Sequence, residues 1–313
     1  MRKSPAFVLP SIILYVILSA LTINAQTHRA SVRGTVTDPN QALVPGAAVK
    51  LVNRERNEAR ETTSGAEGEY VIPSLAPGAY HLEVTAAGFN AFALDNVELQ
   101  VSQELRADVS LAVGLLSQGY TLVAPSTELK KDTASLGAVI ENRQIEGLPL
   151  DGRNFYELNL LVPGTVPPAP GSAGSVRGDF AFSVNGQRED SNNFLLDGVY
   201  NVDPKLNTFG VRPPVDAIRE SETATSTYDA AFGRNSGAQV NVVTKSGTND
   251  FRGSLYEFHR NAAADARNFF APAGEAKPKY IRNQFGGSVG GPVVKDRTFF
   301  FFDYEGTRSR EGV

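Results

Sequence analysis

The sequence contains no cysteine and no tryptophan, and it has only three histidines. Without cysteine there is no disulfide framework, no thiolate metal site and no cysteine nucleophile. His28, His81 and His259 lie far apart in the chain, and none forms a His-Glu pair at the spacing of a metallopeptidase. The sequence therefore offers no catalytic residue, no metal ligand and no cofactor site, and we expect a protein that is not an enzyme.

Positive charge and long apolar runs are also scarce. The formal net charge is -4 and no basic stripe is present, which predicts no nucleic-acid partner. The apolar run over residues 6–21 is interrupted by Pro10, and what remains is shorter than the roughly 20 residues that a membrane helix needs. Arg2 and Lys3 precede this run and the small residue Ala25 follows it, a pattern typical of a secretory signal. We assign residues 1–25 to a signal peptide, in preference to an uncleaved membrane anchor.

Turn-forming residues, in contrast, are abundant, with 29 Gly and 18 Pro among 313 residues. Such a composition favours a β-rich fold. Over residues 30–112, short alternating runs such as Val32 to Val36 and Tyr80 to Val84 are separated by turn sequences such as Ala76-Pro77-Gly78. Several strands at this spacing predict a small β-sandwich of about seven strands.

The alternation lapses over residues 113–132, where Gly119, Pro125 and Lys130-Lys131 indicate an exposed linker. Within it lies a short β-prone run, Thr121, Leu122, Val123 and Ala124, which is able to add itself as a strand to the sheet edge of a partner. Taken alone, the run is better explained as a last strand of the sandwich or as a spacer than as a partner-binding strand.

A second globular unit is predicted over residues 133–247. Residues Asn154 to Leu161 have the apolar spacing of a helix, which Pro163-Gly164 would end. The stretch FSVNGQREDSNNFLLDGVYNVD predicts two strands about a polar turn. Short helices and strands joined by long loops favour an α+β domain over a wound nucleotide-binding fold.

After Thr248 the alternation changes character and predicts strands with one face toward lipid. In the first of them we expect Tyr256 and Phe258 outward, with Leu255, Glu257 and His259 inward. Over residues 248–313 the sequence has room for about three strands, whereas membrane barrels need at least about eight. We therefore expect the N-terminal portion of a barrel protein.

The two later strands follow the same rule. Phe285 and Val289 share a face in a Gly-rich second strand, and Lys295-Asp296-Arg297 forms a short turn. In the third strand the aromatic side chains alternate with acidic ones, so that Phe300, Phe302 and Tyr304 are expected outward and Asp303 and Glu305 inward.

Two weaker motifs were weighed for catalysis. Residues 286–290 match the G-x-S-x-G pattern of a nucleophile elbow, but another strand follows where a helix is required, and no triad partner is recognisable. Asp190, Asp197 and Asp203 lie in turn sequences, where carboxylates usually cap backbone amides.

Several segments, in their order and spacing, resemble known families. The segments GTVTDPNQALVPGAAVKLVN and GEYVIPSLAPGAYHLEVTAAGF resemble the carboxypeptidase-regulatory-like domain, a transthyretin-like sandwich. Later segments resemble the Oar-like TonB-dependent outer-membrane receptors: LPLDGRNFYELNLLVPG, FSVNGQREDSNNFLLDGVYN, VDAIRE, YDAAFGRNSGAQVNVVTKSGTNDFRGS and NQFGGSVGGPVVKDRTFFFFDYEG.

This resemblance implies a mainly β protein of the outer membrane: a transthyretin-like β-sandwich, then an α+β plug domain (133–247), then the first strands of a transmembrane β-barrel (248–313). The sandwich and the plug would lie on the periplasmic side. A TonB-type energy-coupling protein would pull on the run Thr121 to Ala124 and displace the plug. The remaining partners would be outer-membrane lipid and a substrate such as a carbohydrate, a peptide or a chelated metal. The alternative is an envelope carbohydrate-binding or adhesion protein that acts through its sandwich.

Overall fold

The structure is a computed structural model that describes residues 29–114, 130–131, 135–169, 181–205, 208–228, 232, 235–267 and 277–312. The predicted signal peptide (1–25) and the predicted partner-binding run (121–124) lie outside the described residues. In the part of the chain that is described, no helix has the length and apolar character to cross a membrane.

The first unit is a sandwich of two β-sheets around one apolar core. Its strands are β1 (Ala30–Thr37), β2 (Ala48–Asn53), β3 (Ala59–Thr63), β4 (Glu69–Leu75), β5 (Gly78–Thr85), β6 (Phe92–Leu99), β7 (Glu104–Arg106) and β8 (Val109–Ser110). One sheet has the order β3-β2-β5-β6, and the other places β1 between β4 and β7, with β8 also pairing with β1. Alternate side chains of β1, namely Ala30, Val32 and Val36, are fully buried between the sheets. The alternation that predicted a sandwich is thus the alternation of this core.

The chain returns to the sandwich before it enters the second unit. The two-residue strand β9 (Lys130–Lys131) pairs antiparallel with β7, opposite Arg106 and Leu105. This pairing places the end of the predicted linker on an edge of the sandwich.

The second unit, which we call the central unit, is an α+β domain on a five-stranded sheet. Its elements are β10 (Leu136–Glu141), α1 (Asn142–Gly147), β11 (Thr165–Val166), β12 (Ser183–Val184), β13 (Asn193–Leu196), β14 (Val199–Tyr200), β15 (Ile218–Ser226) and β16 (Gln239–Thr244). In the described part of this unit, short 3-10 helices lie between them at Asp151–Arg153, Phe155–Leu161, Glu189–Ser191 and Val215–Ala217. The main sheet has the order β10-β15-β16-β13-β14, and β11 pairs with β12 separately. A second apolar cluster, which includes Phe155, Tyr156, Phe182 and Phe194, fills one face of the main sheet.

Two details of the central unit differ from expectation. Residues Phe155–Leu161 form a 3-10 helix, in which Phe155 and Leu158 are buried but Leu161 is 66% exposed. Leu161 is the last residue of this helix, and the next residue, Val162, is the one that is buried. The stretch FSVNGQREDSNNFLLDGVYNVD contributes to two hairpins and not to one. Strand β12 pairs with β11, and β13 turns back at Asp197-Gly198 to pair with β14.

The third unit is an antiparallel sheet of three long strands, which we call the C-terminal sheet. Its strands are β17 (Arg252–Asn261), β18 (Tyr280–Val294) and β19 (Thr298–Glu311), paired in chain order. The predicted turn lies between β18 and β19. On β19 the predicted faces are also found: Phe302 and Tyr304 are 62% and 56% exposed, whereas Asp303 and Glu305 face the central unit.

The predicted faces of β17 are wrong. Leu255 is 93% exposed on the outer face, which it shares with Glu257 and His259, and Tyr256 and Phe258 lie on the face toward the central unit. The register explains this orientation, because it places Tyr256 beside Gly286, which in turn pairs with Glu305. A Cβ atom at Gly286 would lie 2.7 Å from Cζ of Tyr256, so the glycine makes room for the inward ring.

Candidate functional site: the polar interface of the central unit and the C-terminal sheet

A tight turn of the central unit brings two charged side chains to the C-terminal sheet. Gly152 and Arg153 have φ angles of 65° and 54°, both in the left-handed region. Glycine adopts this conformation freely, but for arginine it costs about 1–2 kcal/mol. The turn directs Asp151 and Arg153 toward β17, β18 and β19, where their partners offset that cost.

Arg153 is the centre of the first cluster. Its guanidinium pairs with Asp216 of the central unit and donates to Glu305 of β19 over 3.2 Å. The same guanidinium lies over the rings of Tyr256 and Phe258, at 4.2 Å and 4.6 Å from their centroids. The hydroxyl of Tyr256 donates to Glu305 over 2.9 Å. One cation is therefore shared by two carboxylates and two rings that come from both units.

The cluster is largely shielded from water. The side chains of Arg153, Asp216 and Glu305 are only 11%, 12% and 14% exposed. Asp216 lies in the 3-10 helix Val215–Ala217, and it also accepts a hydrogen bond of 3.0 Å from the hydroxyl of Ser254 on β17. In such surroundings removal of one ionic partner leaves an uncompensated charge, so the pairs are strongly interdependent.

A second, more exposed cluster is formed around Asp151. Its carboxylate accepts hydrogen bonds from Arg282 over 2.7 Å and from Arg260 over 3.2 Å. The hydrogen bond from Arg282 is the main reason that the pKa of Asp151 is lowered. Beside it, Gln284 of β18 donates to the carbonyl of Gly152 over 3.2 Å. The turn of the central unit is thus held by all three strands of the sheet.

Further charges complete this face of the central unit. Lys245 pairs with Glu146 of α1 over 2.7 Å. Burial alone would raise the pKa of Glu146, but hydrogen bonds from Lys245 and Asn142 outweigh burial, and the pKa is lowered. On the sheet, both carboxylate oxygens of Asp303 are buried and have no hydrogen-bond partner among the described residues.

The interface contains little apolar packing. No residue of the C-terminal sheet belongs to the apolar cluster of the central unit, as far as the structure describes the chain. The contacts are ion pairs and hydrogen bonds, whose groups water can solvate after separation. Chemically, the arrangement can hold two bodies in register and can also release them.

The sites considered from the sequence are distributed differently. Thr121, Leu122, Val123 and Ala124 lie outside the described residues. Ser288 lies within β18, where its hydroxyl contacts that of Ser254 at 2.9 Å, so it is not at a strand-to-helix turn. In the described ranges, no group of three or more His, Cys, Asp or Glu side chains is placed to hold a metal ion.

The expected capping carboxylates behave as predicted in two of three positions. Asp197 accepts from the amide of Thr244 and Asp203 accepts from the amide of Lys205, each over 2.8 Å. Asp190 instead pairs with Arg188 over 2.9 Å.

Sequence reasoning missed most of the interface. Arg153 and Glu305 are 152 positions apart, and no local pattern indicates that they meet. The sequence marks Arg153 only as a charged residue after Gly152, directly before the helix predicted at Asn154 to Leu161.

Comparison with known proteins agrees with this architecture. Residues 31–112 match the family described as carboxypeptidase regulatory-like domain, and residues 243–313 match the family described as outer membrane beta barrel domain. The chain is similar to the TonB-dependent transporter Oar of Myxococcus xanthus, with 25% identity over 302 residues, 88% of this chain and 26% of that protein. The chain thus spans about a quarter of the length of this relative.

Solved structures were also compared. The siderophore receptor PirA from Acinetobacter baumannii aligns with a TM-score of 0.42 and 22% identity, over 56% of this chain and 25% of that one. A catechol 1,2-dioxygenase from Acinetobacter radioresistens aligns with a TM-score of 0.23 and 13% identity, over 33% of this chain and 59% of that one.

Proposed function

We propose that this chain, an Oar-like TonB-dependent outer-membrane receptor with an N-terminal carboxypeptidase regulatory-like domain, forms the gated front part of a transporter. In this proposal the C-terminal sheet is the start of the barrel wall and the central unit is the plug in its lumen. The observation that carries the proposal is the contrast between the two faces of the C-terminal sheet. One face is exposed and largely apolar, with Glu257 and His259 as polar positions at one end of β17, and the other is polar and covered by the central unit.

The outer face supports contact with outer-membrane lipid. Leu255, Val289, Phe300, Phe302 and Tyr304 are all exposed on it. A contiguous apolar face of this kind is unfavourable in water but is the normal outer surface of a membrane barrel. Antiparallel strands of 10, 15 and 14 residues are long enough to cross the hydrocarbon layer.

The inner face supports a plug that can be displaced. The contacts of Arg153 and Asp151 hold the central unit in place, yet their polar groups can be solvated by a water-filled lumen. An apolar interface of the same size would be costly to expose. The boundaries proposed for the plug and for the barrel are residues 133–247 and 248 onward.

The energy for displacement would come from the periplasmic side. In the proposal, the sandwich (30–112) and the linker (113–132) face the periplasm, and the run Thr121 to Ala124 adds a strand to a TonB-type partner. A pull on the linker would move the plug and admit a substrate bound outside. The similarity to a TonB-dependent transporter supports coupling to a TonB-type partner and a protein that moves its substrate without chemical change.

A pair of deletions tests the proposal without knowledge of the substrate. In a chain that carries the complete barrel, deletion of residues 133–247 should leave a wide open pore, measured as a large steady conductance after reconstitution in planar bilayers. Deletion of residues 30–112 is the matched control, and its conductance should stay close to that of the intact protein. If removal of residues 133–247 left the conductance of a correctly inserted barrel unchanged, the central unit would not be the plug.

A further inference from the structure

The sandwich and the central unit have separate apolar cores. The core cluster of the sandwich runs from Ala30 to Leu111, and that of the central unit runs from Ile140 to Val242, with no residue in common. Each unit therefore buries its own apolar surface without the other. The surface where they meet, which we call the seam, is formed by other groups.

On the central unit, the seam lies on β15 and β16. The backbone amide of Val101, in the turn between β6 and β7, donates to the buried carboxylate of Glu220 over 2.6 Å. In the same turn, the hydroxyl of Ser102 accepts a hydrogen bond of 3.4 Å from the side-chain amide of Asn241. Arg219 pairs with Glu55, on the turn between β2 and β3, over 3.1 Å. Two turns of the sandwich thus contact one face of the central sheet through hydrogen bonds and an ion pair.

The same sandwich turn also reaches the beginning of the C-terminal sheet. The carbonyl of Glu55 accepts a hydrogen bond of 3.0 Å from the amide of Asn249. Arg56 contacts the hydroxyl of Ser246 and donates to the carbonyl of Gly247 over 3.3 Å. The sandwich is therefore attached on both sides of the junction between the central unit and the C-terminal sheet.

The sheet face on which Asn241 contacts the sandwich also carries Asn193 and Gln239. Asn193, Gln239 and Asn241 are 7%, 3% and 2% exposed. Within the described residues, Asn193 Oδ1, Gln239 Nε2 and Asn241 Oδ1 have no hydrogen-bond partner. A buried polar atom without a partner costs about 1–3 kcal/mol, which water would return once the face is exposed. Hydration of these atoms would therefore offset part of the free energy that is lost when the seam contacts break.

A cavity of about 680 Å³ lies along this junction. Its walls come from all three units: Glu98 and Gln100 of the sandwich, Glu141 and Lys245 of the central unit, and Ser254 and Ser288 of the C-terminal sheet. The cavity therefore connects the seam with the polar interface that holds the central unit.

We infer that the sandwich is a releasable cap, which separates from the central unit along the seam while both cores stay folded, and which thereby exposes the junction of the central unit and the C-terminal sheet. Separation breaks the polar contacts of the seam and the contact of Arg56 with the ring of Phe299, and it exposes Asn241 to water. The opening of the cap does not rest on the proposed transport function. Only its consequence does: if the protein transports a substrate, the cap must open before the substrate can pass the central unit.

The state of Glu220 is consistent with a releasable seam. Burial raises its pKa to about 7, and only part of this rise is offset by the amide of Val101 and by Arg219. The neighbouring carboxylates of Glu222 and Glu141 raise it further. The charged form of Glu220 is thus poorly accommodated while the sandwich is attached.

Thiol labelling can measure the opening, because the natural chain has no cysteine. Asn241 and Val242 are neighbours on β16, but Asn241 faces the sandwich and Val242 belongs to the core of the central unit. In the detergent-solubilised protein, Asn241→Cys should react with a charged methanethiosulfonate at least about tenfold faster than Val242→Cys, since cap opening requires less free energy than unfolding of the core.

A second substitution tests the contacts of the seam. Glu55→Ala removes the partner of Arg219 and should accelerate labelling of Asn241→Cys by about 3-fold, as expected for a partly exposed ion pair. Glu61→Ala is the matched control, because it removes an ion pair with Lys50 that lies within the sandwich, and it should change nothing.

Hydrogen exchange of the unmodified chain provides the second measurement. The amides of Val101 and Asn249, which donate across the junction, should exchange before those of β2 and β5. Equal labelling of the two cysteine variants, together with exchange of these amides only at the rate of the strand cores, would overturn the inference. That result would not contradict the proposed transport function. Conversely, failure of the conductance test would not contradict the inference that the sandwich separates from the central unit.

Discussion

Substitution of Arg153 by methionine removes the one cation between Asp216 and Glu305 while it keeps a similar side-chain volume. The two carboxylates, 12% and 14% exposed, would then face each other across the interface without compensation. The rings of Tyr256 and Phe258 would also lose the guanidinium above them. We therefore expect Arg153→Met to weaken the attachment of the central unit to the C-terminal sheet.

The size of the effect follows from the burial of the cluster. Removal of one partner from a buried ion pair costs about 3–5 kcal/mol, and the slight exposure of these side chains favours the lower end of that range. A loss of about 3 kcal/mol corresponds to a change of roughly 100-fold in the equilibrium between attached and released states. Arg153→Lys keeps the charge but not the forked geometry, so its effect should be intermediate.

In a chain that carries the complete barrel, channel recording in planar bilayers can detect this change as a higher frequency of spontaneous openings. The decisive control is the triple variant Arg153→Met, Asp216→Asn and Glu305→Gln, which removes the buried charges and keeps acceptors for Ser254 and Tyr256. In this triple variant, the frequency of spontaneous openings should be close to that of the natural protein. An unchanged rate in Arg153→Met, or a triple variant as leaky as the single one, would refute the electrostatic explanation.

Three other outcomes are expected. Burial beneath the sandwich raises the pKa of Glu220 from 4.5 to about 7, so attachment of the sandwich should weaken as the pH rises from about 4.5 to 7 and then level off. Because only the thiolate reacts, the labelling rate of Asn241→Cys is divided by that of free cysteine at the same pH. This ratio should be higher at pH 8 than at pH 5, and Glu220→Gln should abolish the difference. Val123→Pro removes a backbone donor and should abolish co-purification with the periplasmic domain of a TonB-type partner, whereas Val123→Thr should leave co-purification intact. If the partner still co-purified with proline at each position from Thr121 to Ala124, the run would be a spacer. The 313-residue chain should require detergent to stay dispersed, whereas a chain ending at Lys245 should stay soluble without it, as size-exclusion chromatography would reveal.

The fold could be predicted where one local rule decides the structure. In β1 and in β19, alternation of apolar and polar residues identifies both the strand and its faces, since a strand has only two faces. On β17 the same rule failed because both faces carry large apolar groups, Leu255 on one and Tyr256 on the other. The choice between them depends on Gly286 and Glu305 in the neighbouring strands, and this register is not a local property.

The candidate site was largely beyond sequence reasoning for a related reason. The ionic partners of Arg153 are Asp216, in a 3-10 helix 63 positions away, and Glu305, in a strand 152 positions away. Single charged residues in turns are common, and only tertiary contact distinguishes this one from a solvated side chain. The same holds for Glu220, which looks like a surface residue of a polar strand and is 6% exposed beneath the sandwich.

The most direct test of the account is whether the two faces of β19 meet lipid and the central unit respectively. The natural chain lacks tryptophan, so single substitutions Phe302→Trp and Phe301→Trp provide unambiguous fluorescent reporters on adjacent residues. Phe302 is 62% exposed on the outer face, whereas Phe301 lies on the opposite face and lines the cavity at the junction. In vesicles that contain brominated lipid, the account predicts strong quenching of the tryptophan at position 302 and little at position 301. Equal quenching at both positions, or at neither, would contradict a lipid-facing sheet whose inner side is closed by the central unit.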